Sequence, residues 1–282
     1  MSRMSATPSD RPIAVFDSGV GGLTVLHELL VALPGEDFIY LGDTARFPYG
    51  DKTHEQLRTF ALEIAEHLLA LDAKLLVVAC GSATAAALPL LREHLADSGV
   101  DVLGVIEPAA ELAVEGTRSG RIGVLATPAT VASGAFQRAI LAGNPHAHIE
   151  SVACPDLAPI IQSGFPFDER VVETVRRYVT PLRAAEVDTV ILGSTHYPLV
   201  APMLQRMLGR GVRLVSSGEG VARTVERTLG PQGLLSDRTT EGAYRFHTTA
   251  DVEAFRTLGT RFLQMPLGEV ERVTLTPVEV PA

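Results

Sequence analysis

The segment Val77-Val-Ala-Cys-Gly-Ser-Ala-Thr-Ala85 passes from an apolar run of strand type, through Cys80, into an alanine-rich stretch of helical type. A buried strand that delivers a reactive side chain to the carboxyl edge of a sheet and continues into a helix is the repeating unit of open parallel α/β folds, which bind ligands at that edge. A second unit of the same kind ends in Leu192-Gly-Ser-Thr-His-Tyr-Pro198, with Ser194 at the equivalent place. Further strand candidates are Ile13 to Phe16, Phe38 to Leu41, Val102 to Ile106, Ile122 to Ala126, Ile149 to Val152 and Arg213 to Ser216. Helical periods follow most of them, as in Leu57 to Leu71, Thr84 to Leu95, Val171 to Arg183 and Gly220 to Leu229. The alternation predicts an α/β protein with doubly wound parallel sheets. Two shorter strand-like pieces, Tyr244 to Thr249 and Val270 to Thr274, flank Val252 to Phe262 and are expected to complete the first lobe.

With 282 residues, 46% of them hydrophobic, the chain is long enough to bury the cores of two modest lobes. A formal charge of -9 argues against a general nucleic-acid or anionic-membrane binder, for which a basic surface is needed. No window approaches the roughly 18 apolar residues of a membrane-spanning helix, and Met1 to Pro12 lacks the apolar core of a signal peptide, so a cytosolic protein is expected. Residues 1–11 read as a disordered leader. The two cysteines, Cys80 and Cys154, do not suggest a disulfide framework, and the eight scattered histidines lack zinc-site spacing. Cys154 reads as structural.

Several segments together carry a resemblance. Ile13-Ala-Val-Phe-Asp-Ser-Gly-Val-Gly-Gly-Leu-Thr24, Tyr40-Leu-Gly-Asp-Thr-Ala-Arg46, Pro48-Tyr-Gly50, the Cys80 segment and Thr195-His-Tyr-Pro198 resemble the glutamate racemases of the cofactor-independent aspartate/glutamate racemase family. The match runs in order from about residue 12 to the C-terminus. It implies two pseudo-symmetric doubly wound lobes with parallel sheets and an interlobe active-site cleft. Residues 12–104 plus 213–282 would form the first lobe and 105–212 the second. It further implies conversion of L-glutamate to D-glutamate for peptidoglycan synthesis without a cofactor or metal, by a homodimer. Carried over position by position, Cys80, Ser194, Asp17 and His196 would be catalytic. Ser18, Pro48, Tyr49, Gly50, Gly81, Ser82, Thr127, Thr130 and Thr195 would bind substrate.

Racemisation removes the α-proton and returns one on the opposite face, so two acid/base groups are the direct solution. A thiol suits this chemistry, since its ordinary pKa is about 8.5 and helix-start amides can lower it toward neutrality. Ser194 departs from the family pattern, which has cysteine there, and a serine hydroxyl has no ionised population near neutral pH without a dedicated base. His196, two residues on, is the candidate for that base. Gly81 stands where the family has asparagine, and Gln162 where it has a glutamate; a glutamine cannot exchange a proton. Asp17 and Ser18 end the first strand, where they serve either the reaction or a helix N-cap. Gly19, Gly21 and Gly22 suggest a tight turn, and no lysine follows to make it a nucleotide loop. Thr127, Thr130 and Ser133 read equally as helix caps or as donors to a carboxylate. Two other functions are compatible with a one-thiol site: an arylmalonate-decarboxylase-like lyase of the same superfamily, and a non-catalytic glutamate-binding protein.

Overall fold

A computed structural model describes residues 7–164 and 168–278. In chain order it consists of β1 (Ile13–Asp17), α1 (Leu23–Ala32), β2 (Phe38–Gly42), α2 (His54–Leu69), β3 (Leu75–Val78), α3 (Gly81–His94), β4 (Asp101–Gly104), α4 (Ile106–Gly116), β5 (Arg121–Ala126), α5 (Pro128–Ser133), α6 (Ala135–Gly143), β6 (His148–Ala153), α7 (Leu157–Gln162), α8 (Glu169–Ala184), β7 (Thr189–Leu192), α9 (Ala201–Leu208), β8 (Arg213–Ser216), α10 (Ser217–Leu229), β9 (Tyr244–Thr248), α11 (Val252–Leu263) and β10 (Val270–Arg272). The strands form two sheets, ordered β10-β9-β2-β1-β3-β4 and β6-β5-β7-β8, in which every pairing is parallel. β1, β2, β3 and β7 are buried along their whole length, which is why they read as unbroken apolar runs.

The block β2-β1-β3-β4 of the first sheet has its counterpart in β6-β5-β7-β8 of the second. In each, the chain winds outward to one side and then returns to the other, so strand order reverses between β1 and β3 and between β5 and β7. Those reversals are the places where open parallel sheets leave a crevice beyond their carboxyl ends.

Three expectations change. β8 pairs with β7 from Thr189↔Arg213 to Leu192↔Ser216, so the chain leaves the second sheet only after Ser216, not at residue 212. An edge strand joins whichever sheet offers open hydrogen bonds, which the local sequence does not specify. β4 stops at Gly104, because Ile106 already begins α4. Of the expected disordered leader, residues 1–6 lie outside the described part, but Pro8–Asp10 form a helical turn closed by Thr7 and Asp10, each bonding the other.

That turn is held from below. Lys74 Nζ donates to Ser9 O at 2.6 Å, to Leu234 O at 2.8 Å and to Glu36 Oε2 at 2.5 Å, and the second Glu36 oxygen accepts the Ser236 amide at 2.8 Å. Among the described residues no helix is long and apolar enough to cross a membrane.

Candidate active site

The two sheet reversals bring the segments that stood out in the sequence into one cleft. On the first-lobe side, β1 ends in Asp17, which is buried; its Oδ2 accepts the Gly19 amide at 3.0 Å. Burial raises its pKa, against the opposing pull of the Gly22 and Gly19 amides and the Thr195 hydroxyl. Beside it Cys80 occupies the N-cap of α3. Burial, and then the Asp17 carboxylate, push the thiol up to about 12, although the Ala83 amide and donors on Ser18 act in the other direction. The expected drop toward neutrality is therefore reversed, because loss of water around a thiolate outweighs two or three amide donors.

On the second-lobe side, β7 runs through Gly193 into Ser194, Thr195 and His196, all buried. The two turns meet backbone to backbone: a Cβ on Gly81 would lie 2.7 Å from the Gly193 carbonyl oxygen. A side chain at 81 would force these two turns apart, so in this chain the position offers the cleft its backbone and no side chain. The lobes are also joined by the Thr195 hydroxyl, which donates to Asp17 Oδ1 at 3.3 Å. Gly21 is required for a similar reason, since any Cβ there would strike the Thr195 hydroxyl and the His196 ring.

His196 does not activate Ser194. Its Nε2–H donates to Gln162 Oε1 at 2.8 Å, and its ring sits between Phe47 and Phe262 at centroid distances of 5.6 and 5.1 Å. What reaches the Ser194 hydroxyl is the His196 backbone amide, at 3.4 Å. His196 has helical dihedrals entering a tight turn, so the side chains of 194 and 196 diverge. Burial lowers its pKa from 6.5 to about 4, so the imidazole is neutral at physiological pH.

A consequence for stability follows with a definite sign. The unfolded chain takes up a proton at this histidine near its ordinary pKa, about 6.5, whereas the folded chain resists until about 4. The contribution is present above pH 6.5 and is lost as pH falls through 4, and it amounts to on the order of 3 kcal/mol. Denaturant midpoints at pH 7 and 4.5 are expected to differ less in His196→Leu than in the parent; equal acid sensitivity would exclude His196 as a cause.

The remaining positions fall around this pair. Ser82, Thr127 and Thr130 form a ring of hydroxyls across the cleft, with Ser82–Thr127 and Thr127–Thr130 at 2.9 Å and Ser82–Thr130 at 3.4 Å. Thr127 stands at the N-cap of α5 without capping it through its side chain, which leaves its hydroxyl facing the cleft. Ser133 instead donates to Thr130 O and accepts the Ala135 amide, a turn role. Pro48, Tyr49 and Gly50 close the far end: a Cβ on Gly50 would be 3.2 Å from Thr127 Cβ. Ser18 is buried next to Cys80. Cys154 lies apart, buried, with its thiol pointing to Val152 O. Phe47 and Phe262, which enclose His196, carried no signal in the sequence, since Phe262 comes from the last helix. Asp43 carried one only as part of the Tyr40–Arg46 segment. No group of three or more His, Cys, Asp or Glu suited to a metal ion occurs among the described residues.

A model of the Asp/Glu/hydantoin racemase family matches residues 20–225. The glutamate racemase of Geobacter metallireducens is 44% identical over 265 residues, 94% of this chain and 97% of that protein. That of Bacillus cereus is 39% identical over 94% of this chain and 98% of its own length. Among solved structures, a glutamate racemase isoform from Bacillus anthracis superposes with a TM-score of 0.90 at 37% identity, covering 95% of this chain and 98% of that one. The Francisella tularensis glutamate racemase, solved in complex with D-glutamate, superposes with a TM-score of 0.87 at 32% identity, covering 94% and 98%.

Proposed function

Because this chain belongs to the Asp/Glu/hydantoin racemase family, with glutamate racemases as full-length relatives, we propose that it works on glutamate at the α carbon. The observation that carries the reading is the convergence of Cys80 and Asp17 from one sheet reversal with Ser194 and Thr195 from the other, joined by the Asp17–Thr195 hydrogen bond. The full-length relatives favour neither the decarboxylase nor the binding-protein alternative. The same reading includes a role in supplying D-glutamate for peptidoglycan, assembly as a homodimer and a cytoplasmic setting.

In this scheme the α-carboxylate lies among Ser18, Ser82 and Thr195, the side-chain carboxylate meets the Tyr49 and Gly50 amides, and the ammonium group lies by Asp17. Hydroxyls and amides held in place before the substrate arrives stabilise the charge that develops on the carboxylate as the α-proton leaves. Cys80 serves one face. As a thiolate it takes the proton of D-glutamate, and as a thiol it returns one. Ser194 faces the other side and neither holds a readily transferred proton nor acts as a base near pH 7. The chain therefore exchanges the α-proton of D-glutamate with solvent much faster than it inverts the centre.

NMR in deuterated solvent tests this. D-Glutamate is expected to lose its α-proton signal while L-glutamate keeps it. The kcat/KM for exchange is expected to rise about tenfold per pH unit from pH 6 to 9, because the free thiol is held well above that range and only its thiolate abstracts the proton. Rapid conversion of both enantiomers would overturn the assignment of Ser194 as the disabled half.

A further inference from the structure

The carboxyl end of β2 holds a carboxylate that the proton-transfer scheme does not use. Asp43 is fully buried and immediately follows β2. Its Oδ2 accepts the Tyr49 hydroxyl and Arg46 Nε, each at 2.5 Å, and its Oδ1 accepts the Thr249 hydroxyl at 2.8 Å. Its amide donates to Asp17 O at 2.9 Å, which ties it to the end of β1. Arg46 continues through Nη1 to Glu63 on α2, and its guanidinium lies 4.0 Å above the Phe60 ring, which packs on Tyr49 at 5.7 Å. On the other flank the Thr249 hydroxyl accepts the Ala45 amide at 3.0 Å, and the Thr44 and Thr248 hydroxyls are 2.7 Å apart.

A buried carboxylate is costly unless donors fill its lone pairs, and Asp43 has three, although Arg46 Nη2, also buried, has no partner. Here the donors come from the turn after β2, from the Pro48–Gly50 turn and from the residue after β9. Burial, and then the Asp43 charge, raise the Tyr49 hydroxyl well above its ordinary pKa of 10, so it remains a donor. With that hydroxyl committed to Asp43, what Tyr49 and Gly50 present to the cleft is backbone, packed against Thr127.

We infer that Asp43 is a positioning residue: through Tyr49 and Arg46 it sets the distance of the Pro48–Gly50 turn from the reaction centre, and so the length of dicarboxylate the cleft accepts. This rests on the glutamate reading above. It gives Asp43 no contact with substrate and no proton to move.

The test uses the full chain, calorimetric binding of D-glutamate and D-aspartate, and the α-proton exchange rate at saturating D-glutamate. Tyr49→Phe keeps the ring and removes only the hydroxyl that Asp43 holds; Asp43→Asn changes the other end of the same bond. Each is expected to weaken D-glutamate binding about tenfold, within the range that misplacement of a positioning group produces, and to narrow the preference for glutamate over aspartate. In Asp43→Asn the saturating exchange rate should stay within about threefold, because Asp43 touches neither the substrate nor Cys80. The double variant should bind about as well as Asp43→Asn alone, since the Tyr49 hydroxyl acts through Asp43. A merely structural Asp43 would lower the thermal midpoint without altering affinity or preference, and that result overturns the inference. So does Tyr49→Phe binding within about twofold of the parent, which decides the matter even where Asp43→Asn fails to fold. A parent chain that binds no glutamate overturns the reading and the inference together; a parent that binds, with Tyr49→Phe undiminished, overturns the inference alone.

Discussion

Replacing Ser194 with cysteine is expected to raise the rate of glutamate inversion by at least about 10², the lower end for an acid/base group restored to its place. Ser194 is buried at the end of β7, opposite the Cys80 turn, and its hydroxyl meets the His196 amide at 3.4 Å. That amide would stabilise a thiolate at 194 as it now touches a neutral hydroxyl. The His196 ring does not supply a proton to this face, since it is turned to Gln162 and is neutral. Gly81 and Gln162 should keep the recovered rate below that of a chain with an amide side chain and a carboxylate at those positions. Polarimetry or chiral separation of glutamate over time gives the rate. An unchanged rate in a folded Ser194→Cys protein that still exchanges D-glutamate would mean that inversion is limited elsewhere in the cleft.

Lys74→Met is expected to lower the unfolding free energy by about 3–5 kcal/mol, the usual loss when one partner of a buried ion pair is removed. The side chains of Lys74 and Glu36 are only 2% and 3% exposed, so neither charge has access to water in compensation. Methionine fills the volume of the lysine stem but leaves the Glu36 carboxylate with the Ser236 amide alone, and frees the carbonyls of Ser9 and Leu234. Urea denaturation measures the change. Lys74→Met with Glu36→Leu should recover most of the loss, because a buried pair replaced by apolar groups is often close to neutral. The pair precedes β3, at the end of the sheet away from the cleft, so glutamate binding by the folded variant should match the parent. A loss below about 1 kcal/mol would mean that the pair behaves as a solvated surface bridge.

The order of strands and helices was legible in the chain from Ile13 onward, as were the two strand ends that carry Cys80 and Ser194. Hydrophobic period and strand-to-helix transitions are local properties, and a parallel sheet buried on both faces writes itself as unbroken apolar runs such as Leu75–Val78 and Thr189–Leu192. The position-by-position resemblance added an expected substrate shell, of which the structure brings the Ser82, Thr127 and Thr130 hydroxyls together. Tertiary structure alone decided how those groups behave. β8 joined the second sheet because the open edge of β7 lay beside it, a pairing between segments that the chain order leaves free. Thr127 does not cap α5 through its side chain; its hydroxyl pairs with Thr130 and with Ser82, which comes within reach from the other lobe. The Cys80 thiol went up rather than down, and His196 turned to Gln162 rather than to Ser194. Each depends on which groups exclude water from a site and which lie across it, and desolvation and contact between distant segments have no period along the chain.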